Sequence, residues 1–162
     1  MDTKTKRSQA DKVRRRLTTL LSAEGFARTK TSLWISGSGP VTQFVHMHLF
    51  SFEPGFCVHF GVRVLNDPFP ALGLNGPSSH GAPYNLQFDD TEESIVRCAF
   101  EASRYYADVG RSWFGRWREP QRLVDDPSSP LSPEARSALH QAMRTGADQA
   151  YLRASNRLLG AA

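Results

Sequence analysis

The stretch from Val41 to Leu65 decides the fold of this chain; it reads VTQFVHMHLFSFEPGFCVHFGVRVL. Two runs within it, Val41–Phe50 and Phe56–Leu65, are rich in the β-branched and aromatic residues that favour strands. The segment Phe52–Gly55 between them contains Pro and Gly, which favour a compact connection. Strand, short loop and strand together predict an antiparallel β-hairpin.

The apolar residues of the hairpin predict its register, because successive side chains of a strand point to opposite faces of the sheet. The apolar rows of the two strands coincide if Leu49 lies opposite Val58 and Met47 lies opposite Phe60. In this register His48 lies beside His59. The other face of the hairpin then carries five side chains that could bind a ligand or take part in catalysis, namely His46, His48, Cys57, His59 and Arg63.

The sequence on either side of the hairpin alternates between helical periodicity and short strands. The predicted elements are a helix over 9–24 capped by Ser8, a strand over 32–36, a strand over 84–88, a helix over 90–109 capped by Asp90, a helical segment at 113–117 and a helical region after Ser132. These elements predict an α+β fold. An antiparallel sheet of three to five strands has helices packed on one face, with an N-terminal helix and a C-terminal helical region.

Length and composition favour one domain over residues 1–162, since a chain of 162 residues leaves little room for two. Two cysteines without a CxxC motif indicate a reducing compartment. No apolar run is long enough for a signal peptide or a membrane span. We therefore expect a cytoplasmic protein with no membrane partner.

Positive charge is concentrated at the N-terminus, where residues 1–16 carry seven Lys or Arg and two acids. We expect residues 1–7 to form a flexible basic tail, and the rest to be the solvated face of a helix. The alternative is a nucleic-acid-binding accessory protein that uses this basic end. Nucleic acid is the less favoured partner, because Trp113, Phe114 and Trp117 have the spacing of core residues rather than of a base-stacking platform.

The motifs that usually identify an enzyme are absent from the sequence. It has no phosphate-binding loop, no HExxH, no nucleophile elbow and no zinc-deaminase pattern. The paired carboxylates Asp89-Asp90 and Asp125-Asp126 are adjacent in sequence and favour caps and turns. We therefore assign no catalytic residue and favour a protein that is not an enzyme.

One cluster keeps an enzymatic alternative open. His46, His48, His59 and Cys57 are predicted on one face of the hairpin, and imidazole and thiolate groups are ligands that Zn²⁺ accepts. The same groups would suit a thiol activated by an imidazole. Metal- or thiol-dependent catalysis is thus the alternative, whereas histidines that face solvent or a partner are favoured, and no cofactor is expected.

Several segments together resemble a known family. They are Leu20–Phe26 (LLSAEGF), Leu33–Ile35 (LWI), Val41–Phe50, Phe56–Val62 and Trp113–Trp117 (WFGRW). Their order over about residues 8–160 resembles a family of short bacterial proteins known as a domain of unknown function, several members of which are thought to be toxin-immunity proteins. The resemblance implies an α+β fold, a binding role and another protein, a cognate toxin, as the partner.

The family has no agreed catalytic residues, so the resemblance transfers none to this chain. Where members carry Gln and Ser after the second strand, this chain has His46 and His48. Our leading hypothesis is a non-catalytic bacterial protein that binds a toxin through His46, His48, His59 and Arg63.

Overall fold

The computed structural model describes residues 1–37 and 39–161. Within these ranges the strands are β1 (Ala27–Lys30), β2 (Leu33–Ser36), β3 (Val41–Leu49) and β4 (Phe56–Val64). The α-helices are α1 (Thr3–Ser22), α2 (Glu92–Tyr105), α3 (Arg111–Arg116), α4 (Pro120–Asp125), α5 (Pro133–Thr145) and α6 (Gln149–Leu159). None of these helices is long and apolar enough to cross a membrane.

The sheet is an antiparallel meander in the order β1-β2-β3-β4, and the predicted α+β class is confirmed. Strand β1 was not predicted, because its sequence ARTK is polar and carries no alternation. The strand predicted over 84–88 is wrong. That segment makes an isolated bridge between Gly55 and Gln87, and Leu86 accepts a hydrogen bond from the Phe56 amide.

The predicted register of the hairpin is wrong by two residues. Met47 lies opposite Val58, and His46, not His48, lies opposite His59. Because the shift is even, each side chain still points to its predicted face. The physical reason is the pair Phe44 and Gly61: the ring of Phe44 fills the space that a side chain at Gly61 would occupy.

One sheet face, which we call the inner face, packs against α1 and α2. It contributes Trp34, Val45 and Phe60 to the main core. Helix α1 starts at Thr3, with Asp2 as its N-cap instead of Ser8, so most of the segment expected as a flexible tail is helical. Helix α2 is capped by Thr91 instead of Asp90.

Helix α2 continues through a π-helical segment, Tyr106–Gly110, directly into α3. Gly110 permits this packing, since a Cβ there would lie 2.8 Å from the Cζ atom of Phe60. Phe114 of α3 and Trp117 directly after it are buried, which confirms their predicted core role, while Trp113 is partly buried.

The opposite sheet face, which we call the outer face, is partly covered by α6. Leu159 of α6 packs with Leu33 and Phe44, and the Thr29 hydroxyl donates to the Leu159 carbonyl at 2.5 Å. The expectation of helices on one face is therefore incomplete. Six of the eleven residues of α6 are apolar, but their pattern does not show which sheet face they would cover.

The free edge of β4 is covered by residues 75–79 of the loop that connects β4 to α2. The Asn75 side chain exchanges two hydrogen bonds with the backbone of Val62, at 3.0 and 2.9 Å. The Phe60 amide donates to the Pro77 carbonyl at 3.0 Å, and the Ser79 amide donates to the Val58 carbonyl at 2.9 Å. These bonds satisfy edge groups that would otherwise be open to pairing with another strand.

Candidate functional site

The outer face has two halves with different cover. Strands β3 and β4 run the whole length of both halves, but α6 covers only the half around Phe44, Gly61 and Arg63. The other half carries His46, His48 and His59, and His48 is exposed there. The structure thus brings the three predicted histidines together and separates them from Arg63.

The open half presents a continuous row of five aromatic rings, which we call the aromatic row: Phe52, Phe50, His48, His46 and His59. Successive ring centroids along the row lie 5.2, 5.9, 6.5 and 6.0 Å apart. These separations are in the range in which aromatic rings interact. The first four residues alternate along the chain from His46 to Phe52, so the pleat of β3 and its extension place them on one side.

Exposure changes along the row. Phe52 stands at the free end with 78% of its surface exposed, and His48 is exposed as well, whereas Phe50, His46 and His59 are half-buried. The Lys6 ammonium donates to the carbonyl oxygens of Phe50 and Ser51, at 2.5 and 3.1 Å. Helix α1 therefore fixes the backbone from which the exposed end of the row projects.

The surroundings of His46 and His59 favour their neutral forms. Burial lowers the pKa of His46, and the neighbouring His59, His48 and Arg14 lower it further. Burial also lowers the pKa of His59, with contributions from His48 and His80. A neutral imidazole offers one donor and one acceptor. The Nδ1 atom of His46 is buried and makes no hydrogen bond within residues 1–37 and 39–161.

The geometry does not assemble a thiol catalyst. Cys57 lies opposite His48, but it is buried, and its sulfur receives a contact from the Ser79 hydroxyl at 3.7 Å. In the part of the chain that the structure describes, no hydrogen bond joins Cys57 to a histidine. The other cysteine, Cys98, is buried on α2, and burial raises the pKa of its thiol to about 12.

The speculated zinc ligands His46, His48, His59 and Cys57 share a face but do not converge. Among the described residues there is no group of three or more His, Cys, Asp or Glu side chains placed to hold a metal ion. Zinc ligands in proteins meet at one point about 2.0–2.3 Å from each donor atom. The histidines instead lie side by side on the sheet, with His48 two residues along β3 from His46 and His59 across from His46 on β4. This arrangement suits contact with a surface better than enclosure of an ion.

Arg63 was predicted as a binding residue, but the structure buries its side chain. The side chain is 3% exposed and lies under α6. Its Nε donates to the Ser155 hydroxyl at 3.0 Å, and its terminal nitrogens donate to the carbonyls of Ala71, Asp67 and Phe69, each at 2.9 Å. Arg63 holds α6 and the loop after β4 against the sheet, so it is not available to a partner.

The basic N-terminus is less free than its sequence indicates. Arg14 is buried and donates to the Ser32 hydroxyl at 3.1 Å, and Arg15 pairs with Asp11 at 2.8 Å. Arg16 pairs with Glu92 on α2. Together with Lys6, four of the seven basic residues of this end are already engaged, which weakens the hypothesis of a nucleic-acid-binding arm.

Phe50 and Phe52 were not predicted as site residues, although the sequence carries the signal that would have found them. The alternation of ring-bearing residues, F-x-H-x-H-x-F-x-F over 44–52, continues past the end of the strand. Phe52 belongs to the segment predicted as a connecting loop, and the prediction did not continue the alternation into that loop.

Comparisons with protein-family models, with curated proteins and with solved structures return no match to this chain. The family resemblance therefore stays a prediction. The function has to be argued from the geometry of the aromatic row, from its exposure and from the chemistry of its side chains.

Proposed function

We propose that this chain is a non-catalytic protein-binding domain, an immunity factor that inhibits a toxin, and that the aromatic row is its binding surface. The observation that carries the proposal is the row itself. Five rings lie in sequence on the half of the outer face that α6 leaves open, and the ring at one end, Phe52, is the most exposed large apolar side chain of the described residues.

The chemistry of the row suits contact with a protein. Aromatic side chains are enriched at protein interfaces, where they bury a large area at low conformational cost. Binding energy usually concentrates in a few such anchors near the centre of the interface. Here Phe52 and Phe50 supply apolar area, while His48 adds a donor and an acceptor that fix orientation. The resemblance to immunity proteins supplies the kind of partner.

The arrangement supports inhibition by occlusion more than catalysis. The row offers apolar area and hydrogen-bonding groups, and its only neighbouring thiol, Cys57, is buried. An inhibitor of this kind needs a pre-formed surface, because rigidity lowers the entropic cost of binding. The bonds from Lys6 to the backbone at Phe50 and Ser51 supply that rigidity.

The test compares three immobilised proteins with lysate from the organism that encodes the chain. These are the wild type, the row variant Phe52→Ser/His48→Ser, and the control variant Phe69→Ser, which removes an exposed ring from the loop after β4. We expect one protein to be retained by the wild type and by the control, and to be lost from the row variant. Equal retention by all three would remove the row as the binding surface.

The inhibitory role is tested with the retained protein itself. Its gene, expressed alone in a laboratory bacterium, should stop growth, and co-expression of the wild-type chain or of Phe69→Ser should restore it. The row variant should fail to restore growth. If the retained protein is harmless, or if the row variant protects as well as the wild type, the immunity assignment is wrong.

A further inference from the structure

Helices α1 and α2 carry a second exposed apolar patch, on the side of the molecule away from the outer face. Leu20 on α1 is 40% exposed, and Val96 and Phe100 on α2 are 43% and 59% exposed. The two helices pack against each other and bury their other apolar residues on the sheet. We call these three residues the seam patch, because they flank the line where α1 meets α2.

An ion pair closes each end of the seam patch. At one end Arg16 on α1 pairs with Glu92 on α2. At the other end Glu24, which follows α1, pairs with Arg111 at the start of α3 at 2.5 Å. Leu20 lies between Arg16 and Glu24 along the chain, while Val96 and Phe100 lie between Glu92 and Arg111. An apolar centre is thus framed by four charges.

The four charges form an alternating pattern. The α1 side carries a positive charge at Arg16 and a negative charge at Glu24, and the α2 side carries the reverse, Glu92 and then Arg111. A two-fold axis in the plane of the patch and across the helices would place Arg16 over Glu24 of a second copy. It would also place Glu92 over Arg111 of that copy. An axis along the helices would place Arg16 over Glu92, which is again an attractive arrangement.

We propose that the seam patch is the interface of a homodimer, and that its occupant is a second copy of this chain. A surface that presents opposite charges to itself under a two-fold rotation is self-complementary, and two-fold homodimers use the same patch on both subunits. Charge complementarity favours a second copy as the partner, while Leu20, Val96 and Phe100 supply the apolar centre. The interface is small, so the dimer is weak and concentration-dependent.

The first experiment measures self-association of the full chain by sedimentation equilibrium at concentrations up to about 1 mM, where even a weak interface associates. We expect the average mass of the wild type to rise from one copy towards two. Phe100→Ser should stay monomeric over the same range. The matched control Phe52→Ser removes an exposed Phe from the aromatic row and should associate as the wild type does.

The second experiment tests the charge pattern. An acidic variant, Arg16→Glu/Arg111→Glu, and a basic variant, Glu24→Lys/Glu92→Lys, each carry four like charges around the patch. We expect each variant alone to be monomeric and the two mixed together to form a heterodimer with one copy of each. Circular dichroism of both variants confirms that they are folded, as expected for changes at exposed ion pairs.

Either of two results would overturn the proposal. One is a wild type that stays monomeric at every concentration. The other is a mixture of folded acidic and basic variants that associates no better than each variant alone. The proposal is independent of the binding function, because the seam patch and the aromatic row share no residue and Phe52→Ser and Phe100→Ser are expected to affect different assays.

Discussion

The two halves of the outer face are built from the same two strands, yet they have opposite roles. In the covered half Phe44 lies over Gly61, and Arg63 binds four groups beneath α6. In the open half His46 lies across from His59, and the buried Nδ1 atom of His46 makes no hydrogen bond within the described chain. The covered half fastens the C-terminal helix, and the open half offers donors and rings.

The difference teaches that alternation along a strand predicts a face but does not predict what covers it. Arg63 and His59 are four residues apart on the same face of β4. What distinguishes them is Ser155 of α6, which lies 92 residues further along the chain than Arg63 and accepts a hydrogen bond from it. Stability should therefore depend on the covered half, and binding should depend on the open half.

The largest expected effect is a loss of stability when the covered half loses its arginine. Arg63→Met keeps most of the side-chain volume but removes every donor, which leaves the buried Ser155 hydroxyl, three partly buried carbonyls and the Asp67 carboxylate without this partner. Removing one partner from a buried charged network costs about 3–5 kcal/mol. We expect the free energy of unfolding, measured by urea denaturation, to fall by about that amount.

The control for this change is Arg111→Met, which removes an arginine whose side chain is 58% exposed. An exposed ion pair contributes about 0–1 kcal/mol, so this variant should unfold close to the wild type. Equal effects of the two substitutions would show that Arg63 does not fasten α6.

The next largest effect is expected at Gly61, where the covered half is most tightly packed. The ring of Phe44 occupies the space of a Cβ at this position, so Gly61→Ala forces the ring or the strand to move. Overpacking of this kind costs about 1–3 kcal/mol. Unfolding in urea should show that loss for Gly61→Ala.

The pair can be checked by a double-mutant cycle. Phe44→Leu removes the ring, so adding Gly61→Ala to that background should cost clearly less than in the wild type, a coupling expected only of residues in contact. Additive effects of the two substitutions would mean that Phe44 and Gly61 do not determine the register.

Much of the fold followed from the sequence, because local patterns determined it. Alternation and turn residues predicted β2, β3 and β4, and helical periodicity predicted α1, α2 and the helices at the C-terminus. The predicted register of the hairpin is wrong by two residues, because any even shift keeps the apolar rows on the inner face and alternation cannot distinguish between such registers. Pairing an aromatic ring with a cross-strand glycine, as Phe44 and Gly61 do, would have selected the correct one.

The site was harder to predict than the fold, because it depends on contacts between distant parts of the chain. The three histidines were found from alternation alone. Arg63 was misassigned because its cover comes from Ser155. Phe52 was missed because its pairing with Phe50 continues the strand's period into a loop. The cover over β4, supplied by Asn75 and its neighbours, carries no sequence pattern at all.

A smaller change in the free energy of unfolding is expected when the pH is lowered, and we expect it to come from the histidines of the open half. Burial lowers the pKa of His46 and of His59, and the neighbouring groups His48, His80 and Arg14 contribute to this lowering. As pH falls below the ordinary value of 6.5, the unfolded chain therefore binds protons before the native chain does. Stability is full above pH 6.5 and falls as pH falls towards the lowered native pKa values.

The measurement is the free energy of unfolding between pH 7 and pH 5. The variant His46→Gln/His59→Gln should lose less stability over this interval than the wild type, because it no longer carries the two imidazoles. His140→Gln, which changes an exposed histidine on α5, should keep the wild-type slope. A double variant with an unchanged slope would show that the row does not couple to protonation.

The smallest effect on stability is expected at the exposed end of the aromatic row, where the comparison of the two halves is sharpest. Phe52→Ser and His48→Ser each change a side chain that faces solvent, so each should alter the free energy of unfolding by no more than about 0.5 kcal/mol. Urea denaturation of both variants beside Arg63→Met measures the contrast directly. That contrast would support the proposal that Phe52 and His48 contact a partner rather than stabilise the fold. If Phe52→Ser instead destabilises as much as Gly61→Ala, the row belongs to the core and the open half is not a binding surface.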